Sequence, residues 1–307
     1  MFKKLILSSV LVSILLSDTF QNINIEGLSS KRVLSATQDS SGFVWIGTDE
    51  GLNRFDGYLN KTYRSNVYNE NTLSGNRIWI SYIDKNNTLW IGTDRGVCYY
   101  NENEDEFTRI ETGSKPLHVI EDESSVYFTT TSKGIVKVSK KTKETNFYQF
   151  DPLDPFSLSS SRFSDLQINP ITKEKDYLWV GTTNGLNQVN TKTGQIKRFY
   201  SGKTDLVKAD SISSVLVTPK GLYIGTTKGL TFKGSDQKGK VKGVTNKHIV
   251  ALFKIKEVNL VAAVLKDEIQ LLEGHKVVKT IKIKKPFTRM IDLKTGQYLF
   301  TSKDHKR

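Results

Sequence analysis

The chain has few of the residues that staple, ligate or catalyse. Its one cysteine, Cys98, excludes an intrachain disulfide and a cysteine-based metal site. The four histidines, His118, His248, His275 and His305, have no metal-ligand spacing, and neither a metal nor a cofactor is expected. No G-x-S-x-G turn occurs, and the glycine-rich turns lack the Lys-Ser/Thr of a phosphate loop. Past residue 20 no apolar run could span a bilayer, and no stretch of useful length has a helical apolar period.

What the chain does have is a recurring tetrapeptide. Trp45-Ile46-Gly47-Thr48 returns as Trp90-Ile91-Gly92-Thr93, as Trp179-Val180-Gly181-Thr182 and as Tyr223-Ile224-Gly225-Thr226. Weaker copies are Tyr127-Phe128-Thr129-Thr130, Val261-Ala262-Ala263-Val264 and Tyr298-Leu299-Phe300-Thr301, which brings the units to seven. The step from Trp45 to Trp90 is 45 residues, and from Trp179 to Tyr223 it is 44. Each unit divides into four short apolar stretches separated by Gly, Asp, Asn and Ser turns. A period of roughly 40–45 residues rich in β-formers predicts an all-β fold, a seven-bladed β-propeller of four-stranded blades. The aromatic residue of each copy is expected to be buried against the next blade, the glycine to allow close backbone approach, and the threonine to suit a pleated strand. Cys98 reads as a buried, inert thiol.

The residue just before the first apolar position of each inner strand is Arg32, Arg77, Arg162, Ser211, His248 and Arg289 in six of the seven units. If those strands line the axis, these side chains ring one mouth of the channel and could hold a carboxylated or sulfated sugar. The competing reading is that an arginine suits a strand start and pairs with local carboxylates. Trp79, out of phase between Ile78 and Ile80, is a second candidate, either stacking on a sugar or packing between blades.

The amino terminus reads as a secretory signal peptide, residues 1–17. It has Lys3-Lys4, an apolar run from Leu5 to Leu16, and Ser17 at the cleavage point, although Leu15 holds the usual small position. An uncleaved anchor is the alternative. The net charge of +13 is uneven. Residues 203–307 hold 22 Lys and Arg against nine Asp and Glu, while the rest of the chain balances. That surplus reads as solvated outer-strand lysines or as a surface for an acidic partner; the aromatic interleaving of a nucleic-acid platform is missing.

Gly27-Leu28-Ser29-Ser30, Gln38-Asp39-Ser40-Ser41-Gly42, Val44 to Thr48 and Gly51-Leu52-Asn53-Arg54-Phe55-Asp56-Gly57-Tyr58 closely resemble the two-component regulator propeller family. The linker Asp151-Pro152-Leu153-Asp154-Pro155-Phe156-Ser157-Leu158 is similar as well. The resemblance implies a periplasmic, non-catalytic sensor propeller (residues 18–307) of a bacterial receptor. Its ligand would be a small carbohydrate. The receptor would be a homodimer, held in the membrane and carrying its kinase or cyclase output through segments this chain lacks. The family's N-terminal strand closes the last blade from outside, which assigns residues 20–25 to blade seven. The third strand of that blade should follow Lys303 and is missing, so an incomplete last blade of an amino-terminal fragment is expected. Two other readings stay open: a secreted propeller lyase or glycosidase using a carboxylate pair, and a non-functional receptor fragment.

Overall fold

The computed structural model describes residues 26–163, 170–235, 241–255, 259–283, 289–292 and 298–301. The expected leader and the strand assigned to residues 20–25 lie outside the described residues. Among those described there is no helix, and so none that could cross a membrane. Six four-stranded antiparallel sheets follow one another along the chain, each ordered first to fourth strand as in the sequence. A seventh sheet has two described strands, Arg289–Asp292 and Tyr298–Thr301. The first strands of blades 1 to 6 are Val33–Gln38, Ile78–Ile83, Pro116–Glu121, Ile171–Glu174, Ile212–Thr218 and Ala251–Ile255. Each of the first five touches the first strand of the next blade, so these strands surround an axis and the fold is a β-propeller.

Trp45, Trp90, Tyr127, Trp179 and Tyr223 of the repeat are buried as expected. Trp45 and Leu52 of blade 1 join Leu73, Ile78, Ile91 and Phe107 of blade 2 in one apolar cluster. Trp90 with Ile80 meets Phe128 and Val136 of blade 3. Trp179 packs with Ile212 and Ile224, and Tyr223 with Ile249 and Leu252. The core is thus a ring of inter-blade seams, each stabilised by apolar area removed from water.

Each aromatic also has a polar end that needs a partner when buried. In blades 1 and 2 the indole N–H donates to the carboxylate of a turn aspartate six residues earlier: Trp45 to Asp39 (2.7 Å) and Trp90 to Asp84 (2.9 Å). The other oxygen of each aspartate accepts backbone N–H groups of its own turn, from Ser41 and Phe43 or from Asn86 and Thr88. Tyr127 donates to Asp122 (2.8 Å) in the same way. In blade 4 the acceptor is Glu174, at 2.8 Å from Trp179. Tyr223 has no such carboxylate and donates instead to the Gly274 carbonyl of blade 6 (2.9 Å).

The glycine and threonine of the motif have separate tasks. A Cβ on Gly47 would stand 2.6 Å from Ile78 Cγ2 of the next blade, and one on Gly225 would stand 2.7 Å from Ile249 Cγ2. The glycine is therefore the seat of the next blade's first apolar residue, as the repeat predicts. The threonine is less a strand former than a turn clasp. Its hydroxyl donates to the carbonyl of the glycine beyond the turn, Thr48 to Gly51 (3.0 Å) and Thr182 to Gly185 (3.0 Å), and accepts an N–H from Glu50 or Asn184. Asn53 and Asn187 complete the unit. Each side chain accepts the N–H of Ser29 or Ser159 and donates back to that serine's hydroxyl. In blade 2 that position is Cys98, fully buried, its thiol pushed up to about 11 by burial.

Two carboxylates brace outer parts of the molecule. Asp105 accepts hydrogen bonds from Lys61 and Tyr63 of blade 1 and from Tyr100 of blade 2, the two phenols each at 2.6 Å. Burial raises the Asp105 carboxyl, but these donors outweigh it and hold it at about 2. Glu268 accepts from Lys247 (2.8 Å) and Lys282 (2.6 Å), which lower it to about 2.

Two outcomes are expected. Gly225→Ala destabilises by about 1–3 kcal/mol in urea denaturation through overpacking, and a cycle with Ile249→Ala shows coupling between the two sites. A folded carboxyl held below its unfolded value contributes stability above the unfolded value and loses it on acidification. The melting temperature should therefore fall as pH drops from about 4 towards 2, and Asp105→Asn should flatten that slope.

Candidate ligand-binding mouth

All first strands run in the same direction, so their starting ends lie on one face, together with the Thr-Gly clasps and the linkers between blades. The linkers to blades 2 and 4 are held rigidly. Arg109 donates to the carbonyls of Asn66, Asn69 and Thr72, and Arg198 to those of Asp154 and Ser157, all within 3.0 Å. Arg77 and Arg162 end these two linkers.

Arg32, Arg77, Arg162 and His248 are all exposed at this face, as is Ser211. Arg32 pairs with Asp49 at 3.8 Å, which for this residue supports the local ion-pair reading. Arg289 differs in register. It pairs with Thr301, the place that the first apolar residue holds in Val33–Thr48, Ile78–Thr93 and Ile212–Thr226. It is thus one step further into its strand than the other ring residues.

Sequence reasoning missed the ring residue of blade 3. The N–H of Asp94 donates to the Arg77 carbonyl (3.2 Å), that of Thr227 to Ser211 (3.3 Å) and that of Thr131 to Lys115 (3.0 Å). The same backbone bond in three blades makes Lys115 the equivalent of Arg77. The signal was present: Lys115 directly precedes Pro116, which fills the gap over Gly92 as Ile78 does over Gly47.

Trp79 is half-buried, unlike Trp45, Trp90 and Trp179, which are at most 2% exposed. It packs against the seam between blades 2 and 3 and also borders the axial channel. Lys115 Nζ lies 4.3 Å from its ring centroid and the Arg77 guanidinium 5.8 Å, both within cation–π range. Trp79 also lines a cavity of about 250 Å³ together with Ser35, Ser81, His118 and the apolar Leu117 and Ile171, among others. Ser35 and Ser81 hydroxyls are hydrogen-bonded to each other at 2.9 Å.

Many of the carboxylates are engaged structurally. Asp39, Asp84, Asp122 and Glu174 hold aromatic donors, and Glu121 holds the buried Lys140. Among the described residues no three His, Cys, Asp or Glu side chains gather as a metal site would need.

Comparison with known proteins fits this architecture. The profile of the two component regulator propeller matches residues 27–50 and 72–95. The extracellular domain of the putative hybrid two component system BT3049 from B. thetaiotaomicron superposes with a TM-score of 0.65 at 20% identity, covering 92% of this chain and 40% of that one. The corresponding domain of BT4673 gives 0.62 at 22% identity, covering 87% and 39%. Histidine kinase P4 of Formosa agariphila is 44% identical over 50 residues, 16% of this chain and 4% of the kinase. The chain therefore spans well under half the length of these relatives.

The mouth can be probed through Trp79, one of four tryptophans. Iodide should quench one emission component more strongly than caesium does, because the local charge is positive. Trp79→Phe should remove that component and leave a cooperative melt.

Proposed function

We propose that this chain, which carries two-component regulator propeller repeats, is the non-catalytic, extracytoplasmic ligand-sensing part of a bacterial signal-transduction receptor, and that it binds an oligosaccharide at the channel mouth. The observation that carries this reading is the convergence of Arg77 and Lys115 on Trp79, whose side chain borders an axial cavity. Cations supply fixed charge for carboxylate or sulfate groups, and a half-buried aromatic supplies a face for a sugar ring. The structural neighbours are extracellular domains of two-component systems, which supports an extracytoplasmic, periplasmic location. The engagement of the turn carboxylates favours binding over hydrolysis. Binding would act by shifting the packing of two receptor copies, with the output carried on other segments of the receptor.

The test is a thermal-shift panel of neutral, uronic-acid-containing and sulfated oligosaccharides against the whole chain. A ligand at about 100 times its dissociation constant stabilises by about 2.7 kcal/mol, readily visible as a higher melting temperature. An anionic oligosaccharide should give that shift without being cleaved. Turnover of any panel member would instead establish an enzyme.

A further inference from the structure

We propose that the linker into blade 5, residues 200–208, binds a small polar molecule carrying one singly charged oxygen group, a sulfate ester or a carboxylate. It is a second site, apart from the channel mouth, and it does not rest on the sensing role given to that mouth.

The first argument is how the linker is held. In blades 2 and 4 an arginine of the fourth strand, Arg109 or Arg198, donates to carbonyls of the linker that enters the same blade. These arginines stand opposite Cys98 and Asn187 in the ladder. Opposite Thr231, the matching residue of blade 5, is Gly243. The linker supplies the cation itself. Lys208 Nζ would lie 3.1 Å from a Cβ on Gly243, and it donates to the Thr245 carbonyl (3.0 Å) and to Asn246 Oδ1 (2.6 Å). Among the described residues no carboxylate pairs with it. Its charge is met by two neutral oxygens alone, and partial burial pushes it below the usual lysine range.

The second argument is unmet donors. The linkers into blades 2 and 4 cap their own backbone. Asn66 and Asn69 accept the N–H groups of Tyr68 and Asn71, and Asp151 and Asp154 accept those of Leu153 and Phe156. The blade 5 linker has one such turn, in which Thr204 accepts from Leu206 at 3.2 Å. The N–H groups of Thr204, Asp205 and Val207 have no acceptor among the described residues, although Val207 is buried. A buried N–H group rarely goes without an acceptor. Backbone N–H groups gathered in a turn make a concavity that suits an anion.

The third argument is space and charge balance. Gly202, Lys203, Thr204, Asp205, Val207 and Lys208 line a cavity of about 570 Å³. Small-molecule sites run to roughly 300–1,000 Å³, so the cavity has room for a whole small molecule rather than a bare ion. Val207 is the one aliphatic side chain of the lining, which fits a polar guest. Two lysines against one aspartate leave the lining with a surplus of one positive charge. A singly charged group matches it. A phosphate ester, with a charge of about −1.5 to −2 at neutral pH, meets Asp205 without compensation. An ammonium is a point charge with no preferred plane, so a sulfate ester and a carboxylate both fit.

The experiment uses the 307-residue chain carrying isotope-labelled valine, read by amide NMR at low salt. The probes are glucose 6-sulfate, glucuronate, glucose 6-phosphate and glucose. The Val207 amide resonance should move with the sulfate and with glucuronate. Glucose should act at least about tenfold more weakly, because it offers no charged acceptor. Glucose 6-phosphate should bind less tightly than the sulfate. The exposed Asp205 side chain makes no hydrogen bond to the described residues. Asp205→Asn should therefore fold normally, tighten the anions and tighten the phosphate most. Lys203→Gln should weaken the anions about two- to fivefold, the span of an exposed ion pair. Trp79→Phe should leave the Val207 response unchanged, since Trp79 packs at the seam between blades 2 and 3.

Glucose moving Val207 at the same concentrations as the anions would overturn the proposal. So would glucose 6-phosphate binding more tightly than the sulfate, or an Asp205→Asn protein with unchanged affinities. A titration in which no anion moves Val207 would overturn it as well. A response to the sulfate without one to glucuronate, or the reverse, would uphold the site and assign it to that group.

Discussion

The hydrogen bond from a buried aromatic side chain to a turn carboxylate is the interaction on which this propeller depends. A tryptophan is the largest apolar group a seam can bury, but it brings an N–H that cannot be left unsatisfied without a cost of about 1–3 kcal/mol. Asp39 and Asp84 meet that need within their own blades and also cap the backbone of the hairpin they start. One carboxylate thereby fixes the hairpin between first and second strands and the orientation of the indole that packs on the next blade. Where the carboxylate is absent, as for Tyr223, the donor reaches across to Gly274 of the following blade. The seam between blades 5 and 6 is then tied by a hydrogen bond as well as by packing.

From that constraint the geometry of the mouth follows. With the indole fixed, the motif glycine two residues later faces the next blade at a set distance. The first apolar residue of that blade fills the gap: Ile78 over Gly47, Pro116 over Gly92, Ile249 over Gly225. The side chain immediately before it is Arg77, Lys115 or His248. A position that looks like an exposed loop residue is thus placed by core packing one blade away. The cations at the mouth gain the preorganisation a binding site needs without being buried.

The sequence made the blades legible because aromatic, glycine and threonine serve the same purposes in several units. The site was only partly legible. Arg77 and Trp79 stand next to strong repeat signals, whereas Lys115 precedes a strand that starts with proline and lacks the Leu-Ser pair found before Arg32, Arg77 and Arg162 at Leu28-Ser29, Leu73-Ser74 and Leu158-Ser159. Its equivalence shows only in the backbone bond from Thr131. The carboxylate brackets were also obscured, because the spacing to the aromatic changes from six residues at Asp84–Trp90 to five at Asp122–Tyr127 and Glu174–Trp179. The longer glutamate and the tyrosine hydroxyl satisfy the same bond from different backbone positions. Cys98 hid another equivalence. A thiol occupies the place that Asn53 and Asn187 hold, and no residue-type pattern links them.

Net charge turns out to be a poor guide to where the mouth would hold an anion. The carboxyl-terminal third holds the whole positive surplus, yet its ring positions in blades 5 and 6 are Ser211 and His248. Its lysines sit largely elsewhere. Lys276, Lys279 and Lys282 lie along the outermost strand of blade 6, and Lys247 and Lys282 are drawn to Glu268. The cations that converge on Trp79 come from blades 2 and 3, in the part of the chain where acidic and basic residues balance. A solvated charge on an outer strand is screened within about 8–10 Å at ordinary salt. Two cations over an aromatic ring at a concave mouth act at contact distance, where screening is weak. The fold therefore separates bulk charge, spread on the rim of the disc, from recognition charge, held by the glycine seats at its axis.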